Sequence, residues 1–333
     1  MKTTNLYRLM FTTAVCGLLF TACKKNSSSS SSDTSQADLQ TQADDESRVS
    51  NETDAAFNDV SATMETNATI TGSSQNRTIR YGVTTDGGNQ DTAKNTLVCN
   101  AVVTFDTTDN PHTITITYNG KTSDSLRIRT GSIVISWQAG SRWTTAGDVV
   151  TVQFQNLKIL RILDNKAITF NGTHTYTNVT GGSLMSLYTN NATPITHTIT
   201  SSNMSITFDD GSQRTWSFAR QRTFSYNNGP MIQETGFHTS GSLTNISEWG
   251  TNRFGNSFTA QITTPLTAQD CNNSFQITSG VYVLTNNSGV FTLTFGLDAN
   301  GNPVSGCSLT NVYYLELVWA GASGKSYSIA LPY

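Results

Sequence analysis

From about Thr69 to the C-terminus, apolar residues alternate with Thr, Ser or Gln. Val102–Phe105, His112–Tyr118, Ser132–Trp137 and Val149–Phe154 share this period of two. Ala167–Phe170, His197–Thr200, Met204–Phe208, Phe258–Ile262, Gly280–Leu284 and Phe291–Phe295 repeat it. Successive side chains of a strand point to opposite faces, so the alternation predicts strands with one buried and one wet face, as in antiparallel sheet. Asn119-Gly120, Asn171-Gly172, Asp210-Gly211, Asn228-Gly229 and Asn300-Gly301 accept positive φ and are predicted as hairpin turns. The expected fold class is all-β: an antiparallel hairpin meander forming an open sheet, a sandwich or a partial barrel. Gly131-Ser132-Ile133 with Trp143 and Gly147 loosely matches Gly241-Ser242-Leu243 with Trp249 and Gly255. That match suggests two related β halves, 69–190 and 191–333, with a boundary in Gly181–Pro194.

Ahead of the strands the period lengthens. Val49, Thr53, Ala56, Phe57, Val60 and Met64 follow helical spacing, and Asp44, Asp45 and Glu46 place acids where a helix N-terminus favours them. One amphipathic helix is expected over 44–66. A helix lying on a membrane surface carries Lys and Arg on its polar face, whereas this one offers Glu52, Asp54 and Asp59. It is expected to pack on the β body or to act as a spacer.

The first residues form a different pattern again. Lys2 and Arg8 precede an apolar run from Leu9 to Phe20, which is too short for a hydrocarbon core of about 30 Å. Residues 1–22 therefore read as a cleaved signal peptide. Phe20-Thr21-Ala22-Cys23 resembles a bacterial lipobox, with Phe20 where Leu is usual, and the resemblance implies lipidation of Cys23. Several acyl chains on one Cys anchor stably, where a single chain anchors only marginally. Residues 23–43, with the run Ser27–Ser32, are too polar to bury a core and read as the lipidated Cys and a disordered tether.

Composition narrows the partners. Charged residues make up 13% of the chain, about half the usual 25% of globular proteins, and the net charge is −3 with a pI near 5.8. Such a chain has no basic field to attract phosphate backbones, so no nucleic-acid partner is expected. Beyond Cys16 and Cys23 stand Cys99, Cys271 and Cys307. Cys271 and Cys307 share the C-terminal block, and a disulfide there would contribute roughly 4 kcal/mol in the chain-entropy model. The other reading makes all three small buried apolar residues.

No motif names a reaction. The four His, namely His112, His174, His197 and His238, lack metal-ligand spacing, so no metal or cofactor is expected. Glycoside hydrolysis needs two carboxylates about 5–10 Å apart, and Asp209, Asp210, Glu234 and Glu248 are the catalytic candidates. Asp209 and Asp210 precede Gly211 and also read as turn residues. Asp298-Ala299-Asn300-Gly301-Asn302 has the oxygen density of a calcium loop, but its Gly stands at the fourth place, so it reads as a turn. Trp137, Trp143, Trp216 and Trp249 are the candidates for stacking on sugar rings, and they equally suit the filling of a thin β core.

The lipobox, the acidic helix around Asp45-Glu46-Ser47-Arg48, and several later blocks resemble a group of uncharacterised all-β lipoproteins of the Bacteroidota. The blocks are Val103-Thr104-Phe105-Asp106, Arg129-Thr130-Gly131-Ser132-Ile133, Phe170-Asn171-Gly172-Thr173, and Ile262-Thr263-Thr264-Pro265-Leu266 with Cys271. The resemblance implies an outer-membrane lipoprotein and carries no assigned activity. Surface-exported lipoproteins of that phylum carry acids just after the Cys, where Lys24-Lys25 stand here, so the periplasmic and cell-surface faces both stay open. The leading expectation is a non-catalytic envelope lipoprotein, held by lipid on Cys23, whose β body binds a polysaccharide or an envelope protein. The alternatives are a glycan-processing hydrolase and a lipid-binding half-barrel whose aromatic face closes over an acyl chain.

Overall fold

The computed structural model describes residues 36–71, 98, 100–187, 193–226, 229–271, 274–307, 312–321 and 324–332. The leader, Cys23, the Ser27–Ser32 run and Cys99 lie outside the described residues. Helix α1 (Gln36–Thr66) and the short α2 (Ala68–Thr71) precede the strands. These are β1 (Ala101–Asp106), β2 (His112–Lys121), β3 (Arg127–Trp137), β4 (Asp148–Arg161), β5 (Lys166–Asn178), β6 (Ile195–Phe208), β7 (Gln213–Tyr226) and β8 (Pro230–Gly236). They continue with β9 (His238–Ser240), β10 (Leu243–Thr251), β11 (Ser257–Cys271), β12 (Ser274–Asn286), β13 (Gly289–Leu297), β14 (Tyr314–Ala320) and β15 (Ser326–Pro332).

All fifteen strands belong to one antiparallel sheet, in the order β1-β2-β3-β4-β5-β6-β7-β10-β11-β12-β13-β14-β15. β8 and β10 lie end to end between β7 and β11: β10 pairs with Thr215–Phe218 and β8 with Arg220–Tyr226 of β7. Gly236, at the end of β8, makes this possible. A Cβ there would stand 2.3 Å from the Asn245 carbonyl oxygen, so a side chain would push the two short strands apart.

Three sequence expectations change. The helix begins at Gln36, not at 44, so 36–43 belongs to the helix and not to the tether; Asp44, Asp45 and Arg48 are each held by the sheet, which anchors the third and fourth turns. Residues 68–71 are helical, and among the described residues the first strand starts at Ala101. Ile70 is fully buried and its carbonyl accepts from the Trp143 N–H at 2.7 Å, which ties α2 to the β3–β4 turn. The proposed boundary in Gly181–Pro194 marks no break in the sheet: β5 pairs with β6 across it, from Ile168↔Phe208 to Asn178↔His197.

Two predicted turns also fall elsewhere. Asn119-Gly120 lies inside β2 and Asn171-Gly172 inside β5, whereas Asp210-Gly211 makes the β6–β7 turn. The Asn171 side chain instead accepts from the N–H of Asn156, a positive-φ residue bulged out of β4. Gly131 of β3 makes room for that bulge, since a Cβ there would stand 2.1 Å from the Asn156 carbonyl oxygen. A sequence window shows the Asn-Gly pair but not the strand beside it.

The inward face of the sheet and α1 form one core. Ile114, Ile116, Ile133, Ile135, Val150, Val152, Phe154, Phe170, Trp216 and Phe218 pack with Val49, Ala56, Phe57, Val60 and Met64 of the helix. Among the described residues of 41–66, none is exposed. A helix with no described residue of 41–66 exposed requires the sheet to curl round it, and contacts from β3, β4, β7 and β12 do so. The partial-barrel form of the expected fold is therefore the one adopted. Cys271 and Cys307 form a disulfide with Cα atoms 5.4 Å apart, which ties β11 to the long β13–β14 connection.

Candidate functional site

The described acids of α1 turn toward the sheet, and none is exposed. Asp44 receives both terminal nitrogens of Arg161 at 2.8 and 3.1 Å, and Asp45 receives Arg253 in the same forked manner. Glu52 meets Arg127, and Asp59 meets Arg129 at 2.7 Å while accepting from the Tyr118 hydroxyl at 2.8 Å. Glu52 and Asp59 are seven residues apart and share a helix face, which meets Arg127 and Arg129 of one strand, whereas the adjacent Asp44 and Asp45 diverge by about 100° and reach arginines at two different turns.

The densest part lies where β7 passes from β10 to β8. Arg220 meets Glu234 of β8 at 3.2 Å and Glu248 of β10 through its other terminal nitrogen, and lies 3.6 Å from Asp54 of the helix. Arg222 bridges Glu234 and Asp54, the latter at 2.6 Å. Arg214 joins Glu46 to Glu248, the Trp216 indole N–H donates to Glu248 at 2.7 Å, and the Tyr282 hydroxyl reaches Glu46 at 3.2 Å. Burial raises the carboxyls of Asp54 and Glu248 above the usual range. Burial acts on Glu234 too, but Arg222 and Arg220 together pull it below its ordinary value.

The structure thus separates the four catalytic candidates. Glu234 and Glu248 share Arg220, and every one of their close contacts holds a charge in place. Asp210 is an exposed turn residue that accepts from the N–H and hydroxyl of Ser212, and Asp209 lies beside Lys158 in a shallow polar depression. The stacking candidates are also redistributed: Trp137, Trp143 and Trp216 are buried core residues, and Trp249 is half-buried with His238 already stacked on it at 4.1 Å. Asp298 accepts from the backbone N–H groups of Asn300 and Asn302 and so closes a turn. Among the described residues there is no cluster of His, Cys, Asp and Glu able to hold a metal ion.

Glu65, near the helix C-terminus, is the exception to the pairing rule. Its carboxylate accepts from the Trp143 indole, the Ser183 hydroxyl and the Leu184 N–H at 3.2, 2.6 and 3.1 Å, with no cation in contact. Burial raises its pKa to about 7. A carboxyl whose folded pKa lies above its unfolded value near 4.5 contributes stability below that value and loses it as pH rises toward 7. Relative to Glu65→Gln, the wild-type chain is therefore expected to lose on the order of 3 kcal/mol across this window. Thermal unfolding of both chains from pH 4 to 8 checks it, and parallel profiles would refute it.

Between α1 and β11–β14 the packing opens into a cavity of about 140 Å³. Its sheet wall is apolar, carrying Leu284, Phe291, Leu293, Phe295, Leu315 and Leu317. Registers explain this wall: Leu284 faces Phe291, Leu293 faces Leu317, and Phe291 faces Trp319, so the row runs unbroken across three strands. The helix wall is polar, with Gln42, Ser47 and Ser50, and the charged seam at Glu46, Asp54, Arg220 and Glu234 closes one side. An apolar cavity of roughly 150 Å³ stays dry and accepts a guest the size of benzene. This one suits a few methylenes of a chain whose polar part meets the helix.

The arginines were not among the sequence candidates, although a signal existed. Arg214, Arg220 and Arg222 share parity with Trp216 and Phe218 on β7, and Arg129 shares it with Ile133 and Ile135 on β3. A cation at a core-facing position marks a buried partner. Comparison with protein-family models, curated proteins and solved structures finds no match to this chain.

Proposed function

We propose that the chain is a non-catalytic, membrane-anchored binding protein whose curled sheet holds the apolar chain of an amphiphile between α1 and β11–β14. The supporting observation is the cavity with one aliphatic and aromatic wall and one polar wall. Membrane attachment rests on the lipobox-like Cys23; among the described residues no helix is long and apolar enough to cross a bilayer. The acids offered for hydrolysis are engaged by arginines or turns, which favours binding over catalysis. The glycan reading loses three of its four stacking residues to the core.

Filling the cavity is the test. Leu293→Trp adds an indole to the apolar wall and is expected to lower affinity for a fluorescent long-chain acyl probe at least tenfold, a change of about 1.4 kcal/mol, without lowering the unfolding temperature. Organic extraction of the purified wild-type chain, followed by mass spectrometry, is expected to recover an amphiphile that the variant lacks. No recovered amphiphile, together with equal probe binding by the two chains, would sink the proposal. Glycan arrays run in parallel would then revive the polysaccharide reading.

A further inference from the structure

Helix α1 has a direction within the sheet. In its N-terminal half, Asp44, Arg48 and Asp45 contact Arg161 and Lys166 at the β4–β5 turn and Arg253 at the β10–β11 turn, while Glu65, near its last residue, contacts Trp143 and Leu184 at the opposite end. The chain that precedes Gln36 therefore enters at the end formed by the β2–β3, β4–β5, β6–β7 and β10–β11 turns.

That same end carries the most exposed aliphatic residues of the body. Leu163, at the tip of the β4–β5 turn, is 76% exposed, and Leu126, at the β2–β3 turn, is 60% exposed. The two tips touch, since the Ile162 N–H donates to the Leu126 carbonyl at 3.0 Å, so Leu126, Ile162 and Leu163 form one patch. Phe254 is exposed on the β10–β11 turn at this end. Acids beside the tips are paired, Asp164 with Arg161 at 2.5 Å and Asp124 with Arg127 at 3.3 Å, whereas the exposed Lys121 and Lys166 have free reach toward anions. Aliphatic tips on hairpins whose own acids, Asp124 and Asp164, are paired match an interfacial contact: the side chains enter the acyl boundary and the lysines meet headgroups.

We infer that this end of the sheet is a bilayer-contacting surface, with Leu126, Ile162, Leu163 and Phe254 entering the lipid interface. The inference rests on the membrane-anchor reading of Cys23. Thirteen residue steps separate Cys23 from Gln36, and they span at most about 45 Å. The tether thus leaves the body on the side of these tips and is short enough to let them reach the membrane. Two contacts, lipid and hairpin tips, hold the body in one orientation where a lipid alone would let it swing.

The test uses the full lipidated chain in vesicles of phosphatidylethanolamine and phosphatidylglycerol. In a Cys99→Ser background, Leu163→Cys, Leu126→Cys and, at the opposite end, Val179→Cys each carry an environment-sensitive fluorophore. Labels at 163 and 126 are expected to shift to the blue and to lose most of their emission to doxyl-labelled lipid, while the label at 179 does neither. A chain that floats with vesicles but is quenched no more at 163 than at 179 overturns the surface and leaves the anchor standing. A chain that fails to float overturns both.

Discussion

Replacing Arg220 by methionine is expected to cost about 3–5 kcal/mol of stability. The guanidinium is buried at 4% exposure and faces Glu234, Glu248 and Asp54, which come from two strands and the helix. Without it, carboxylates that sit out of water keep only Arg222 and Arg214 as counter-ions. Taking a charge out of water costs several kcal/mol per ion, so the loss is dominated by the groups left behind and not by the bonds removed. This reasoning predicts a rescue: Arg220→Met combined with Glu234→Gln and Glu248→Gln should recover much of the loss. Urea unfolding of the three chains decides it. A single variant within 1 kcal/mol of wild type, or a triple variant no better than the single, contradicts the account.

Phe57→Ala is expected to cost about 3–5 kcal/mol and to loosen α1 specifically. The ring is 1% exposed; it meets His174, Tyr176 and Phe218 edge-on or tilted at 5.2–5.8 Å, and the Arg222 guanidinium lies 5.2 Å from its centroid. It is the largest apolar group that the helix contributes to the core. Removing it leaves a cavity against His174, whose ring nitrogens have no hydrogen-bond partner among the described residues and whose burial keeps it neutral. Native-state hydrogen exchange should then show α1 amides opening before those of β4–β6. Uniform exchange across helix and sheet would show instead that the ionic contacts alone hold the helix down.

The two effects describe one design from different sides. An apolar stripe on α1 meets the inner face of the sheet, and the remaining faces of the helix carry acids that a curled sheet can reach. Ion pairs of this kind stabilise modestly when formed and cost heavily when broken, so they specify position more than they add stability. They keep α1 at a fixed height, with Gln42, Ser47 and Ser50 against the cavity between the helix and β11–β14.

Much of the fold was legible in local pattern. The alternation in Thr113–Tyr118 or Val149–Phe154 is a property of single strands, and both of these strands have the buried and wet faces that their own residues imply. Val49, Ala56, Phe57, Val60 and Met64 marked the buried stripe of α1 in the same way. Asn119-Gly120 and Asn171-Gly172 misled because an Asn-Gly pair serves a hairpin turn or a strand equally well, in unbroken register at 119–120 and beside a bulge at 171–172, and only the neighbouring strand separates these cases. The acids of α1 were legible only as the polar face of an amphipathic helix: nothing in 44–66 reveals that arginines at 127, 129, 161, 214, 220, 222 and 253 converge on it.

The amino-acid sequence by itself determined the strands, the apolar stripe of one helix, the sparse charge, and the lipobox-like Cys23, because each depends on residues close together in the chain. Tertiary structure alone decided that the sheet is continuous and curls round the helix, that Trp137, Trp143 and Trp216 are core, that Glu234 and Glu248 share one arginine, and that an apolar cavity lies beside them. These depend on registers between strands far apart in sequence, where a shift of one residue turns every side chain to the other face.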